Sequence, residues 1–153
     1  MVKYEDCRVV FEEIPECVSL AVGITNCPFT CPGCHSSYLR GDIGNALDTN
    51  EVERLIDKNR GINCFLFMGD GLDTDGICDL AKFIKKEHPE IKVGVYSGYD
   101  DVLPEYLEVF DYIKIGKYVE KLGPLNKETT NQRLYRNNGK SLQDITFKFW
   151  NRK

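Results

Sequence analysis

Three cysteines carry the most chemistry in this sequence: Cys27, Cys31 and Cys34, in the string NCPFTCPGCHS. Thiolates are the preferred ligands of soft and borderline metals, namely zinc, copper(I) and iron–sulfur clusters. Pro28, Pro32 and Gly33 suit a short loop wrapped around a compact object, because such a loop does not need regular backbone hydrogen bonds. Three thiolates are one fewer than the four that close most clusters and structural zinc sites. The gap can be filled in two ways. His35 or a distant cysteine could complete a zinc site, or three cysteines could hold a [4Fe-4S] cluster whose fourth iron stays open to a small molecule. Structural zinc usually uses paired two-cysteine knuckles, and no second pair occurs here, so the balance favours the open cluster over zinc or inert thiols. The other four cysteines, Cys7, Cys17, Cys64 and Cys78, are scattered and read as small buried hydrophobes.

The segments around the triplet alternate between two periodicities. Val18–Ile24 is a short apolar run suited to a buried strand, and the cysteine loop follows it. Asn50–Arg60 reads as a helix capped by Asn50, with Glu53 at the capping-box position and Gly61 as the stop. Cys64–Met68 is a second strand that ends in Gly69-Asp70-Gly71. Thr74–His88 repeats Ile77, Leu80, Ala81 and Ile84 at helical spacing, carries basic residues in its last turn and stops at Pro89. His88 there reads as a cation at the helix carboxyl end. Ile91–Tyr96 is a third strand, closing with Ser97-Gly98. A short helix near residues 102–109 leads to a fourth, Tyr112–Ile115, closing with Gly116. Beyond it, Asn138-Gly139 between two strand-like runs predicts a hairpin, and Phe147, Phe149 and Trp150 are expected to pack back on the sheet.

Strand and helix alternating in this way implies parallel strands joined by crossovers. In such sheets binding and chemistry gather at the strand carboxyl ends. The triplet, the Gly69-Asp70-Gly71 corner, Ser97-Gly98 and Gly116 all fall at such ends.

Composition bounds the rest. The chain of 153 residues is about one domain, read as residues 1–153, and is too short for a complete eight-fold barrel of about 250 residues. Its 42% hydrophobic and 29% charged residues describe an ordinary globule, and no apolar run approaches the roughly 20 residues of a membrane span. The N-terminus lacks the basic head and apolar run of a secretion signal, so a cytoplasmic location is expected. The net charge of −4 conceals an asymmetry: residues 1–113 hold 10 Lys/Arg against 21 Asp/Glu, whereas residues 114–153 hold 10 against 3. The basic quarter could dock an acidic partner or simply be solvated, and the overall acidity argues against dedicated nucleic-acid binding.

A Cys-x3-Cys-x2-Cys loop after the first strand of an α/β partial barrel resembles the radical S-adenosylmethionine (radical SAM) superfamily. Within it, the chain is similar to the small activating proteins of anaerobic (class III) ribonucleotide reductases. The matching pieces are NCPFTCPGCHS, FMGDG, YSG at 96–98, DYIKIG at 111–116, GPLN at 123–126 and TNQRLY at 130–135. The resemblance implies an incomplete radical-SAM-type α/β barrel with mostly parallel strands. It implies Cys27, Cys31 and Cys34 as ligands of a [4Fe-4S] cluster, and S-adenosylmethionine bound at the open iron and split reductively. The resulting radical would take a hydrogen atom from a glycine of the reductase's glycyl-radical subunit, with a flavodoxin-like protein as reductant. Gly33, Cys34 and His35 match the stretch that meets the adenine side of the cofactor. Family members usually carry Gly-Gly and then an acidic residue after the second strand. This chain departs from that with Met68-Gly69-Asp70-Gly71, so either Asp70 supplies the acceptor for the methionyl amino group or the order is permuted. Ser97 and Lys114 stand where ribose or carboxylate contacts would fall. Two rivals remain: activation of another glycyl-radical enzyme of the formate-lyase type, and a zinc-stabilised binding module without enzymatic activity.

Overall fold

A computed structural model describes residues 2–26 and 41–150 of the chain. Among these, eight strands form one sheet: β1 (Lys3–Val10), β2 (Ser19–Ile24), β3 (Asn45–Ala46), β4 (Cys64–Met68), β5 (Lys92–Tyr96), β6 (Tyr112–Ile115), β7 (Arg133–Asn137) and β8 (Leu142–Asp144). Their spatial order is β3-β1-β2-β4-β5-β6-β7-β8. The central four, β2, β4, β5 and β6, run parallel, and the flanking pairs on both sides are antiparallel. The sheet is therefore mixed, parallel only at its centre.

The central strands are parallel because each connection has enough chain to cross over. Helix α1 (Thr49–Lys58) lies between β2 and β4, α2 (Thr74–Glu87) between β4 and β5, and a 3-10 turn (Pro104–Glu108) between β5 and β6. Strand β2 is buried at every residue, and β4 at all but Met68. Such continuous burial requires cover on both faces. One face carries Leu20, Val22, Ile24, Phe65, Phe67, Val93, Val95 and Ile113, and packs against Val52, Leu55 and Ile56 of α1 and Ile77, Leu80, Ala81 and Ile84 of α2. The opposite face carries Ala21, Cys64, Leu66, Tyr112 and Leu134, and is covered by Ile14, Leu125, Ile145 and Phe149. Phe149 is buried and Trp150 half-buried against this face, but Phe147 is 44% exposed, so only part of the terminal aromatic cluster packs back.

Local chemistry sets the helix ends. Asp48 caps α1 by accepting the Glu51 N–H at 2.9 Å, two residues before the Asn50 cap that the sequence suggests. Glu53 instead meets His88 Nε2 at 2.7 Å, tying the carboxyl end of α2 to α1. Asp73 caps α2 through the Gly76 N–H at 2.9 Å. Among the described residues no helix is long and apolar enough to cross a membrane.

Candidate functional site

The parallel strands place one row of side chains along their carboxyl ends, on the face opposite the helices. Gly23 is in register with Met68, Met68 with Tyr96, Tyr96 with Lys114, and Lys114 with Leu134. Met68 and Tyr96 are half-buried, which leaves an apolar platform at the rim. The Lys114 ammonium is buried, donates to the carbonyls of Ser97 at 3.1 Å and Gly116 at 2.9 Å, and stands 5.5 Å over the Tyr96 ring. A positive charge with one aromatic face and two backbone carbonyls is thereby fixed at the end of β6.

The strand-end corners are wired to one another. The Gly69 N–H bonds the Tyr96 carbonyl at 3.0 Å, the Ser97 N–H bonds the Lys114 carbonyl at 2.8 Å, and the Gly116 N–H bonds the Tyr99 carbonyl at 2.6 Å. Gly71 presses against the end of β2. Its φ is +63°, and a Cβ there would sit 2.9 Å from Ile24 Cγ2 and 3.0 Å from the Thr25 carbonyl oxygen. Only glycine satisfies both the left-handed backbone and this approach. The corner after β4 is thus held beside the point where the cysteine segment begins.

Asp70 lies beneath that corner, 2% exposed. One carboxylate oxygen accepts the Gly98 N–H at 2.6 Å and the other accepts the Tyr106 hydroxyl at 2.5 Å. Burial raises its pKa, and the hydrogen bonds from Tyr106 and Gly98 oppose the rise. Both oxygens are engaged within the protein, so Asp70 ties the ends of β4 and β5 to the 104–108 turn. Ser97 is buried and its Oγ accepts the Tyr99 N–H at 3.2 Å.

Sequence reasoning missed Tyr106 and Gln132. Tyr106 is fully buried, and Gln132 donates from Nε2 to the Gly116 carbonyl at 3.2 Å, bracing the same corner that Lys114 holds. The TNQ part of TNQRLY was the available signal, since Thr130 Oγ1 accepts the Gln132 N–H and Asn131 Nδ2 donates to the Lys117 carbonyl. Arg133 lies 5.6 Å over the Trp150 ring and 3.6 Å from the Asp144 carboxylate.

Cys27, Cys31, Gly33, Cys34 and His35 lie outside the described residues. The anchors on either side of them are described. The Asn26 N–H bonds the Gly41 carbonyl at 3.1 Å, Asn26 Nδ2 bonds Asp42 Oδ1 at 3.1 Å, and Lys3 Nζ reaches the same oxygen at 2.9 Å. The chain therefore departs from and returns to one point at the carboxyl end of β2. Asn26 has a left-handed φ of +63°, a conformation asparagine tolerates better than most residues.

The remaining cysteines stand elsewhere. Cys64 opens β4 and so lies at the opposite edge of the sheet, Cys17 is in contact with it, and Cys78 is buried on α2. Cys7 lies within β1, opposite Val22. No group of three His, Cys, Asp or Glu side chains among the described residues could hold a metal ion. The sequence matches the 4Fe-4S single cluster domain family over residues 16–146. The chain belongs to that family. No curated protein and no solved structure matches it. As a 4Fe-4S single cluster domain, the chain is an iron–sulfur protein, and its donor chemistry fits: three soft thiolates within eight positions follow the end of a central strand.

Proposed function

We propose that this chain is a radical SAM activase, with Cys27, Cys31 and Cys34 holding the cluster and an anaerobic ribonucleoside-triphosphate reductase receiving the glycyl radical. On this reading the parallel centre of the sheet is the core of a partial α/β barrel. The observation that carries the reading is that Asn26 and Gly41, the described residues on either side of the cysteine segment, meet at the carboxyl end of β2, at the same edge as the wired corners of β4, β5 and β6, in a family described by a single 4Fe-4S cluster. When bound, the cluster supplies the electron that splits S-adenosylmethionine into methionine and a 5′-deoxyadenosyl radical.

The chain's own residues then have distinct tasks. The Lys114 ammonium would meet the methionyl carboxylate, Gly69 offers backbone to the amino group, and Ser97 lies where the ribose would pass. Met68 and Tyr96 exclude water beneath them, which strengthens these polar contacts. Asp70 and Tyr106 act below, holding Gly69 and Ser97 at a fixed separation. Gly33 and His35 would lie on the adenine side.

Anaerobically prepared protein is expected to be brown, with about four iron and four sulfide per chain. Reduced, it should cleave S-adenosylmethionine, and with the reductase it should produce a glycyl radical signal in electron paramagnetic resonance. Colourless protein carrying one zinc overturns the cluster assignment. A brown protein that leaves S-adenosylmethionine intact overturns the activase. A radical raised only on a formate-lyase type partner moves the protein to that branch.

A further inference from the structure

The two cysteines at the amino ends of the central strands form a site of their own. Ser19 at the start of β2 is in register with Cys64 at the start of β4, and Cys17 lies two residues before Ser19. The neighbours of both cysteines are pinned together: the Asn63 N–H bonds the Val18 carbonyl at 2.9 Å, and the Val18 N–H bonds Asn63 Oδ1 at 3.0 Å. Both thiols sit in the same apolar cluster on the face opposite the helices, near enough for each to bias the ionisation of the other. Cys64 is fully buried, whereas Cys17 is 9% exposed. Cys17 also lies in the turn before β2 rather than in its ladder, so drawing the sulfurs together moves a turn and not a sheet rung.

We propose that Cys17 and Cys64 are a dithiol–disulfide couple, with Cys17 the sulfur that meets the oxidant and Cys64 the sulfur that resolves it. The oxidant is a low-molecular-weight disulfide. Cys17, as thiolate, attacks one of its sulfurs; that S–S bond breaks, and one small thiol leaves with the proton Cys17 gave up. Cys64 then attacks Cys17 Sγ, the mixed disulfide breaks, and the second small thiol carries away the Cys64 proton. The two protein thiols are oxidised by two electrons and one small disulfide is reduced to two thiols. The electrostatics favour this order. The neighbouring Cys64 thiol holds Cys17 below the usual thiol range against the opposing effect of burial, while Cys17 and burial together raise Cys64 well above it. Cys7 and Cys78, pushed by burial to about 11, are the internal controls. The bond staples the start of β2 to the start of β4 at the edge opposite the cysteine segment, and it consumes no thiol of the triplet.

The test uses the cluster-loaded chain under anaerobic conditions, exposed to 2-hydroxyethyl disulfide, alkylated and digested without reduction by chymotrypsin, which cuts after Leu20 and so separates Cys17 from Cys27. A Cys17 peptide linked to a Cys64 peptide, in an intact chain lighter by two hydrogens and restored by dithiothreitol, is the expected result. In Cys64→Ser the reaction should stop at a mixed disulfide on Cys17. A mixed disulfide that persists on Cys17 in the unaltered chain overturns the proposal. So does a Cys17 linked to any other cysteine, or a pair that remains unoxidised while Cys7 or Cys78 reacts.

Discussion

Asp70 is the residue whose placement most changes how the site is understood. Its position in a Gly-Asp-Gly corner suggests a ligand, yet both of its oxygens are spent on Gly98 and Tyr106. Tyr106 lies 36 positions away in sequence and no local pattern announces the pairing. Its replacement in Tyr106→Phe leaves a buried carboxylate oxygen without its donor and should cost about 1–3 kcal/mol in chemical denaturation. Linkage gives a second readout. Because burial raises the Asp70 pKa above its unfolded value, its contribution to stability is fully present below the unfolded carboxylate range and is lost as pH rises through the folded value. Asp70→Asn lacks that titration. Its stability deficit relative to the unaltered chain should therefore narrow as pH rises above the ordinary carboxylate range, and a deficit that widens would contradict the assignment. Among the cysteines, alanine at 27, 31 or 34 should abolish cluster assembly, whereas Cys78→Ala, on the helix face, should leave the iron content unchanged by elemental analysis.

At the scale of elements, the interior was legible and the margins were not. Strands β4 and β6 have the limits their apolar runs suggest, and Ile77, Leu80, Ala81 and Ile84 of α2 are all buried as their spacing requires. These segments are covered on both faces or along a full helical stripe, so apolar residues mark them. Strand β1 was illegible because its register shifts between Tyr4 and Cys7, which breaks the alternation of period two, and because only Tyr4 and Val10 are buried. Strand β3 is two residues long and leaves no period at all. The start of α1 was misread for another reason. Asn50 and Glu53 have capping-box spacing, but so do Asp48 and Glu51, and the Leu47 N–H bond to the Val2 carbonyl at 2.9 Å fixes the chain so that Asp48 faces the helix. Asp48→Ala and Asp73→Ala should each lower stability by about 1 kcal/mol. Asn50→Ala should change it far less, and urea denaturation of the three variants separates the two cap assignments.

For the whole molecule, the charge asymmetry of the sequence divides into an internal part and an external one. Arg136 Nη1 reaches the Glu16 carboxylate at 2.6 Å and Lys148 Nζ lies 3.5 Å from the same oxygen, while Arg133 is 3.6 Å from Asp144. Arg136 and Lys148 thereby clasp the C-terminal segment to the acidic body, whereas Arg133 pairs within the basic quarter, across β7 and β8. Lys117, Lys121 and Lys127 are different: they are exposed, and they lie on the segment that leaves the carboxyl end of β6, at the same edge as the proposed site. Exposed charges at a site mouth act mainly on encounter, through a field that salt screens over about 10 Å at 0.1 M. On the proposed activase reading, the triple variant Lys117→Glu, Lys121→Glu, Lys127→Glu should therefore slow association with the proposed reductase partner about tenfold or more at low salt and by much less at high salt. Its rate of S-adenosylmethionine cleavage without the reductase should stay the same, because none of the three lies in the row of side chains at the strand ends. Arg136→Ala should show the reverse pattern, with lower stability from the lost Glu16 contact and an unaltered salt dependence of association. Stopped-flow association across a salt series reads both variants, and equal salt slopes for the triple variant and the unaltered chain would remove the basic rim from the encounter.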